Sequence, residues 1–451
     1  MQLKLKSVCL MSAFTCMALA SGAVLAALSA QETERLGKDL TPMGAEKAGN
    51  KDGSIPSWEG GLSKAPAGFD PAKGYVDPFA AEKPLYTITP ANASQYKDKL
   101  APGQMEMLKR YPNYKMNVYP SHRTAAFPQR EYENIKAEAG KAELVAGGNG
   151  VLNIVKSAVP FPIPKTGIEA IWNHLTRYRG GSLERYSAEF PVQANGNFTP
   201  VTRTEVASFS SAMPDAEPNR LLYKRDIITG PSSMAGEALV IHEPMDQLKE
   251  PRLAWLYNPG QRRVVRAPDF AHDMPGQGSD GLRTIDDYDG FGGSPERYDW
   301  KLSGKKEMLI SYNNFKFGSK SVKYTDIVKP GHLNQDLVRY ELHRVWVVEA
   351  TLKPGKRHIY GKRVFFIDED SWQIAHADKY DNRGELWRVH EIEAMQFYDA
   401  PTPFYSGEVL YDLQARRYVV VGLTNQEKPI KFGGKFALGV YSPDNLRRMS
   451  N

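Results

Sequence analysis

RLAWLYNPGQRRVVR, Arg252 to Arg266, decides what kind of fold this chain adopts. Leu253, Trp255 and Tyr257 alternate along the first half, the two-residue period of a strand. Asn258, Pro259 and Gly260 then reverse the chain, and a β-branched pair, Val264 and Val265, begins a second strand. The same unit recurs from Ser182 onward. Turns at Asn195-Gly196, Pro354-Gly355 and Asn382 to Gly384 separate the runs RVWVVEATL, RVFFID, ELWRVHEIEAMQFY and RYVVVGL. An antiparallel meander this long must curl, because every strand pair adds twist. The expected fold is therefore mainly β with helical additions: a curved antiparallel half-barrel.

Moving toward the N-terminus, the texture changes. Residues Gly167 to Arg179 carry Ile168, Ile171, Trp172, Leu175 and Tyr178 at three- and four-residue spacing, which predicts a helix with one apolar face. Placed against a curved sheet, it reads as a lid. Before it, eleven of the 31 prolines fall between Pro42 and Pro128, so that stretch can sustain neither long helices nor central strands. Short helices are expected near Ala93 to Leu100, from Pro102 to Tyr111, and after Pro128. The division that follows is residues 1–26 as an export signal, 27–150 as an extended Pro-rich wrapping segment, and 151–451 as the β domain with its lid helix over 167–179.

Within the wrapping segment, AGNKDGSIPSWE (Ala48 to Glu59) invites a calcium-loop reading, with Asn50, Asp52, Gly53 and Glu59 at EF-hand positions. Ala48 stands where the first acidic ligand belongs, and Pro56 blocks the outgoing helix. The stretch reads instead as a tight turn closed by an Asx-type side-chain bond.

The bulk properties narrow the function. A net charge of +6 over 451 residues, without basic runs, does not suggest nucleic acid. Lys4 and Lys6 precede an apolar run from Ser7 to Ala20 and then small residues, the pattern of a secretory signal cleaved near Ala26 or, second, near Ala20. Both cysteines, Cys9 and Cys16, lie inside it, so the exported chain would hold neither disulfides nor thiols. No later run is long and apolar enough for a transmembrane helix.

Enzyme motifs are missing from the sequence. There is no G-x-S-x-G or H-E-x-x-H, and Gly355 with Gly361-Lys362 has P-loop elements one residue too far apart. Asp280, Asp286, Asp287 and Asp289 sit in a long glycine-rich stretch that reads as a solvated acidic loop. The histidines show no metal-ligand spacing. No catalytic residue, metal or cofactor is expected.

What remains is an excess of large apolar residues on strands: Leu253, Trp255 and Tyr257, then Trp346 and Val348, Phe366, and Trp387. Together with Ile171, Trp172 and Leu175 of the helix, they are the expected lining of an apolar cavity. The segments LAWLYNPGQRRVVRAPDF, RVWVVEAT and YGKRVFFIDEDSWQIAHADKYDNRGELWR resemble the outer-membrane lipoprotein-sorting (LolA- and LolB-like) proteins of double-membrane bacteria. LTPMGAEKAGNKDGSIPSWEGGL and PFPIPKTGIEAIWNHLTRYRG resemble, more narrowly, an uncharacterised exported family in that group.

That resemblance implies a periplasmic half-barrel with a helical lid that binds or shuttles a lipid or other hydrophobic molecule toward the outer membrane, without catalysis. Two other readings stay open: an adaptor docking on an outer-membrane protein or a resistance-nodulation-type transporter, and a hydrolase with an unrecognised site.

The turn reading makes a direct prediction. A calcium site held at a hundred times its Kd would stabilise the fold by about 2.7 kcal/mol. Millimolar calcium should leave the melting temperature unchanged, and a reproducible rise of several degrees would restore the EF-hand reading.

Overall fold

The computed structural model describes residues 28–267, 270 and 272–449; the expected export signal lies outside them. The N-terminal part contains little regular structure: α1 (Ala30–Arg35), β1 (Tyr86–Ile88), α2 (Pro102–Arg110), β2 (Met116–Val118), α3 (Gln129–Glu138), the two-residue pair β3 (Glu143–Leu144) and β4 (Val151–Leu152), and α4 (Gly167–Thr176). Then come β5 (Ser182–Val192), β6 (Val201–Phe209), β7 (Arg220–Gly230), β8 (Ala238–Pro244), β9 (Leu253–Asn258) and β10 (Arg263–Arg266). After a long loop follow β11 (Tyr298–Ser311), α5 (Tyr324–Ile327), β12 (Tyr340–Leu352), β13 (Lys362–Asp368), β14 (Ile374–Tyr380), β15 (Leu386–Phe397), β16 (Thr402–Asp412), β17 (Arg417–Leu423), β18 (Lys431–Phe432) and α6 (Pro443–Met449).

All of these strands except β3 and β4, which pair only with each other, form one curved sheet that does not close into a barrel. Its order is β11, β12 to β17, then β5 to β10, antiparallel at every step; β2 adds to β12 in parallel, β1 to β2, and β18 to β5. The join between the two halves is β17 on β5, where Tyr418 faces Val192. The turn at Pro259-Gly260 makes the expected hairpin, with Arg263 opposite Asn258.

Register sorts the side chains into two faces. The concave face carries Val348 opposite Phe365, Arg185 opposite Glu205, and Leu239 opposite Leu256. α4 packs into this hollow. Thr166 and Glu169 close a capping box at its start, Trp172 Nε1 donates to Gly148 O at 2.8 Å, and all its residues except Ile168 are buried. It is shorter than expected, ending at Thr176, because Arg179 donates to the carbonyls of His174 and Leu175 and so takes over the last turn's acceptors. The helix is a fixed part of the core.

The outer face is covered as well. Ile88, Leu100, Met107 and Leu108 of the Pro-rich segment share one apolar cluster with Leu342, Val389, Val409 and Tyr411 of the sheet. Arg123 forks onto both oxygens of Asp370, at 2.6 and 2.8 Å. The turn at Asn50 is closed from within: Asn50 Oδ1 accepts from Ile55 N at 2.9 Å, and Asp52 Oδ1 accepts from Ser54 N and Oγ.

α2 touches the sheet most closely at Gly103, whose backbone N–H donates to both oxygens of Asp378 at 3.0 and 3.1 Å. A Cβ there would lie 2.1 Å from Asp378 Oδ1 and 2.9 Å from Val389. Gly103→Ala should therefore cost about 2–4 kcal/mol through overpacking and a lost charge-assisted bond. Chemical denaturation measures it; a loss below about 0.5 kcal/mol, the level of an ordinary surface change, would show that α2 is only loosely applied.

A charged cleft on the concave face

The acidic loop does not behave as a solvated one. Asp280 is exposed and pairs with Arg417, but Asp286, Asp287 and Asp289 are buried inside the half-barrel. Cations and hydrogen-bond partners of the concave face explain the difference. Arg363 lies 2.6 Å and His358 3.1 Å from Asp286; Lys379 lies 2.6 Å from Asp287, which also accepts from Tyr360 OH at 2.8 Å. Asp289 takes Arg177 at 2.5 Å and Arg179 at 3.1 Å. A buried carboxylate without such partners would be too costly to keep charged. At Gly290 the backbone needs a positive φ of 78°, and a Cβ would strike Ile374 at 2.8 Å.

The network sets its own proton affinities. Burial raises Asp286, but Arg363 and His358 outweigh it and hold the carboxyl down to about 2. Burial pushes Lys379 down to about 8 against the pull of Asp287. His390 bridges Lys379 Nζ at 3.0 Å and Glu408 at 3.0 Å, and burial with Lys379 beside it keeps it well below the usual histidine range. Burial, with the charge of Asp289, lifts Glu408 to about 7.

Beside this loop a cleft remains, between β5 to β8 and the segment 270–293. Its space amounts to about 1050 Å³ including the part open to solvent, but only about 100 Å³ admits a water-sized molecule, so it is a narrow slot. One wall is apolar: Trp172, Leu221, Leu239, Ile241, Phe270 and Ile285. The other carries alternate charged residues from neighbouring strands, Arg185 and Glu189, Arg203 and Glu205, Lys224 and Asp226. Such a surface can hold a molecule with an apolar body and a charged end.

The ten residues expected to line a cavity divide. Trp172 and Leu175 line the cleft. Ile171, Trp346 and Val348 belong to the same concave core, with Trp346 stacked on Trp372 at 6.1 Å. Leu253, Trp255 and Tyr257 lie on the opposite face, because Trp255 pairs with Val240 while Ala254 and Leu256 face Ile241 and Leu239. Trp255 and Tyr257 pack there with Leu446 of α6. Phe366 is on the outer face too, opposite Val347, and Trp387 sits near the β15 start, donating to Asp412 at 3.0 Å. Sequence reasoning missed Leu221, Leu239, Ile241, Phe270 and Ile285 of the apolar wall, and it missed all the charged residues of the cleft. The charged residues had a signal, opposite charges four residues apart in ERYSAE and two apart in TRTE and YKRD, but charge on a strand ordinarily marks the solvent side.

The fold also gathers His343, Asp368 and Asp370, whose ligating atoms lie within 4.8 Å of one another. Each already has a protein partner: Arg123 on Asp370, Ser371 on Asp368, Glu341 on His343. Burial and Asp370 push Asp368 up to about 6. Among the described residues no helix is long and apolar enough to cross a membrane.

Comparison with known proteins adds a family. Residues 87–447 match the model described as a protein of unknown function, DUF1329. An uncharacterized protein of Pseudomonas aeruginosa is 52% identical over 431 residues, 94% of each chain. Among solved structures, a Vibrio parahaemolyticus domain described as an outer membrane lipoprotein-sorting protein aligns at 15% identity and TM-score 0.45, covering 62% of this chain and 98% of that one. A DUF1329 family protein from Desulfovibrio piger aligns at 13% and 0.42, covering 59% and 91%. A LolA superfamily protein from Nitrosomonas europaea aligns at 12% and 0.39, covering 62% and 99%.

Glu408 gives this network a pH signature. Folded, it keeps its proton up to about pH 7; unfolded, only to the ordinary glutamate value of 4.5. Between those values the folded state holds the extra proton, so stability is lost as pH rises, at up to about 1.4 kcal/mol per unit and about 3 kcal/mol in all. Glu408→Gln should remove that slope. Denaturant unfolding of both proteins from pH 5 to 7 reads it, and a constant difference between them would contradict the assignment.

Proposed function

This chain belongs to the DUF1329 family, and we propose that it binds a hydrophobic molecule in the cleft between β5 to β8 and the acidic loop, and shuttles it toward the outer membrane. In this reading residues 1–26 direct export, and the protein works in the periplasm without catalysing a reaction. The supporting observation is the apolar wall of Leu221, Leu239, Ile241, Phe270 and Ile285, which still borders a slot although Phe270 and Ile285 of the loop pack on Leu239. A dry apolar wall gains about 0.8 kcal/mol for each methylene it takes from water. A bound alkyl chain is thin enough for a narrow slot, and longer cargo requires the 270–293 segment to move outward.

A second reading, the adaptor that docks on an outer-membrane protein or a resistance-nodulation-type transporter, draws on a different observation. Leu152, Val155 and Leu248 are exposed by 44, 75 and 56% on neighbouring loops. Leu152 and Val155 edge an outer groove of about 1340 Å³, counted like the 1050 Å³ of the cleft with the part open to solvent, and it shares Leu221 with the cleft. Exposed apolar groups gathered this way suit a partner surface.

Filling the slot tests the first reading. Ile241→Trp, on the cleft side of β8, should weaken binding of a fluorescent fatty-acid probe at least about tenfold while the circular dichroism spectrum and melting curve stay near those of the wild type. Trp255→Arg, on the other face, should leave the affinity of the folded protein unchanged. If the wild type never binds the probe, the adaptor reading gains. If Trp255→Arg abolishes binding and Ile241→Trp does not, the cargo lies elsewhere.

A further inference from the structure

The charged strip beside the apolar residues, with Lys224 next to Ile241 and Asp226 next to Leu239, has more cations than carboxylates. Glu205 is shared by Arg185 at 2.6 Å and Lys224 at 3.4 Å, and Asp226 by Arg203 at 3.3 Å and Lys224 at 3.8 Å. Glu189 is shared by Arg203 at 2.7 Å and Arg283 at 2.8 Å, while Glu243 has Arg252 at 2.5 Å. Asp289, just behind, is divided between Arg177 and Arg179. Seven cations therefore meet five carboxylates, an excess of two positive charges in a place hidden from water.

The hydrogen bonds agree with the charge. Arg185 is 2% exposed, yet its Nε and Nη1 donate to nothing, and neither does Arg203 Nε. Buried guanidinium N–H groups left without acceptors are costly. Asp226 Oδ1 is also unpartnered, but its other oxygen is already held by two cations. Burial lowers all three arginines, but Glu205 holds Arg185, and Asp226 with Glu189 holds Arg203, above the usual range, while Arg179, beside Arg177, goes down to about 10.

We propose that the cleft is built for an anionic amphiphile, whose carboxylate or phosphate head is taken by an unpartnered N–H of Arg185 beside Arg203, and whose alkyl tail lies on Leu221, Leu239 and Ile241. This deepens the carrier reading and rests on it. The head supplies the missing acceptor to Arg185 and one or two of the missing negative charges. Arg185 Nε shares its edge of the fork with Nη2, which Glu205 already holds, so the head accepts a single N–H, from Nε or from Nη1.

Calorimetric titration of the full exported chain at pH 7, with dodecanoate, dodecyl phosphate, dodecanol, dodecylamine and inorganic phosphate below their micelle thresholds, tests this. Both anionic chains should bind at least about tenfold more tightly than dodecanol, and inorganic phosphate and dodecylamine should show no binding. Arg185→Gln should bring the anionic chains down to the level of dodecanol and leave dodecanol unchanged. Should that variant fail to fold, Ser187→Asp removes no ion pair; it adds a carboxylate on the same strand face and should weaken only the anionic chains.

Equal affinity for dodecanol and dodecanoate, or tighter binding of dodecylamine, overturns the proposed head site while the carrier reading stands. Inorganic phosphate binding as tightly as dodecyl phosphate makes the site one for a free anion and overturns the amphiphile. If no chain binds at all, the carrier reading fails with it.

Discussion

Three aspartates buried inside a half-barrel are the constraint on which the rest depends. Asp286, Asp287 and Asp289 enter the hollow on one loop, and each stays ionised only because the sheet presents a cation to it. Those cations come from β13, β14 and the end of α4, so the loop ties the sheet to the helix that fills it. Tyr360, Arg388 and His390 extend the bonding outward to Asp412 and Glu408. A core of this kind specifies a single arrangement more strictly than an apolar one, since each misplaced charge would stand unpaired.

The function follows from what the loop leaves uncovered. It fills the β13 to β16 side of the hollow with ion pairs, and on the β8 side it lays Phe270 and Ile285 against Leu239, leaving a narrow slot beside them. A simple greasy cavity is not what the concave face offers. Its remaining space has two chemistries side by side, an apolar strip and a wall rich in arginine, and a molecule that uses both must itself be amphiphilic. The outer face takes no part, because the Pro-rich segment seals one portion of it and α6 another.

Much of the fold could be read in the chain. The turn at Asn258-Pro259-Gly260 made its hairpin, and helices stand at Pro102, after Pro128 and at Gly167 where the patterns put them. The face of each strand was harder. Trp255 and Tyr257 show the alternation of a buried side, but here both sides of the sheet are buried, and the cover on theirs is a C-terminal segment with no apolar pattern of its own. Alternation then identifies a strand without saying which way it looks. The loop was misread for a related reason. The partners of Asp286, Asp287 and Asp289 lie 77, 92 and 112 residues away along the chain, and four aspartates among glycines look solvated until those partners are in place.

The location of the cargo is the central claim, and photo-crosslinking addresses it most directly. A fatty acid carrying a diazirine near its tail would be bound, irradiated and mapped by peptide mass spectrometry. The account predicts adducts on β7, β8 and residues 270–293, at Leu221, Ile241 or Phe270 above all. Adducts confined to the outer face of β9, around Trp255 and Tyr257, or to the exposed Leu152 and Val155, would contradict it.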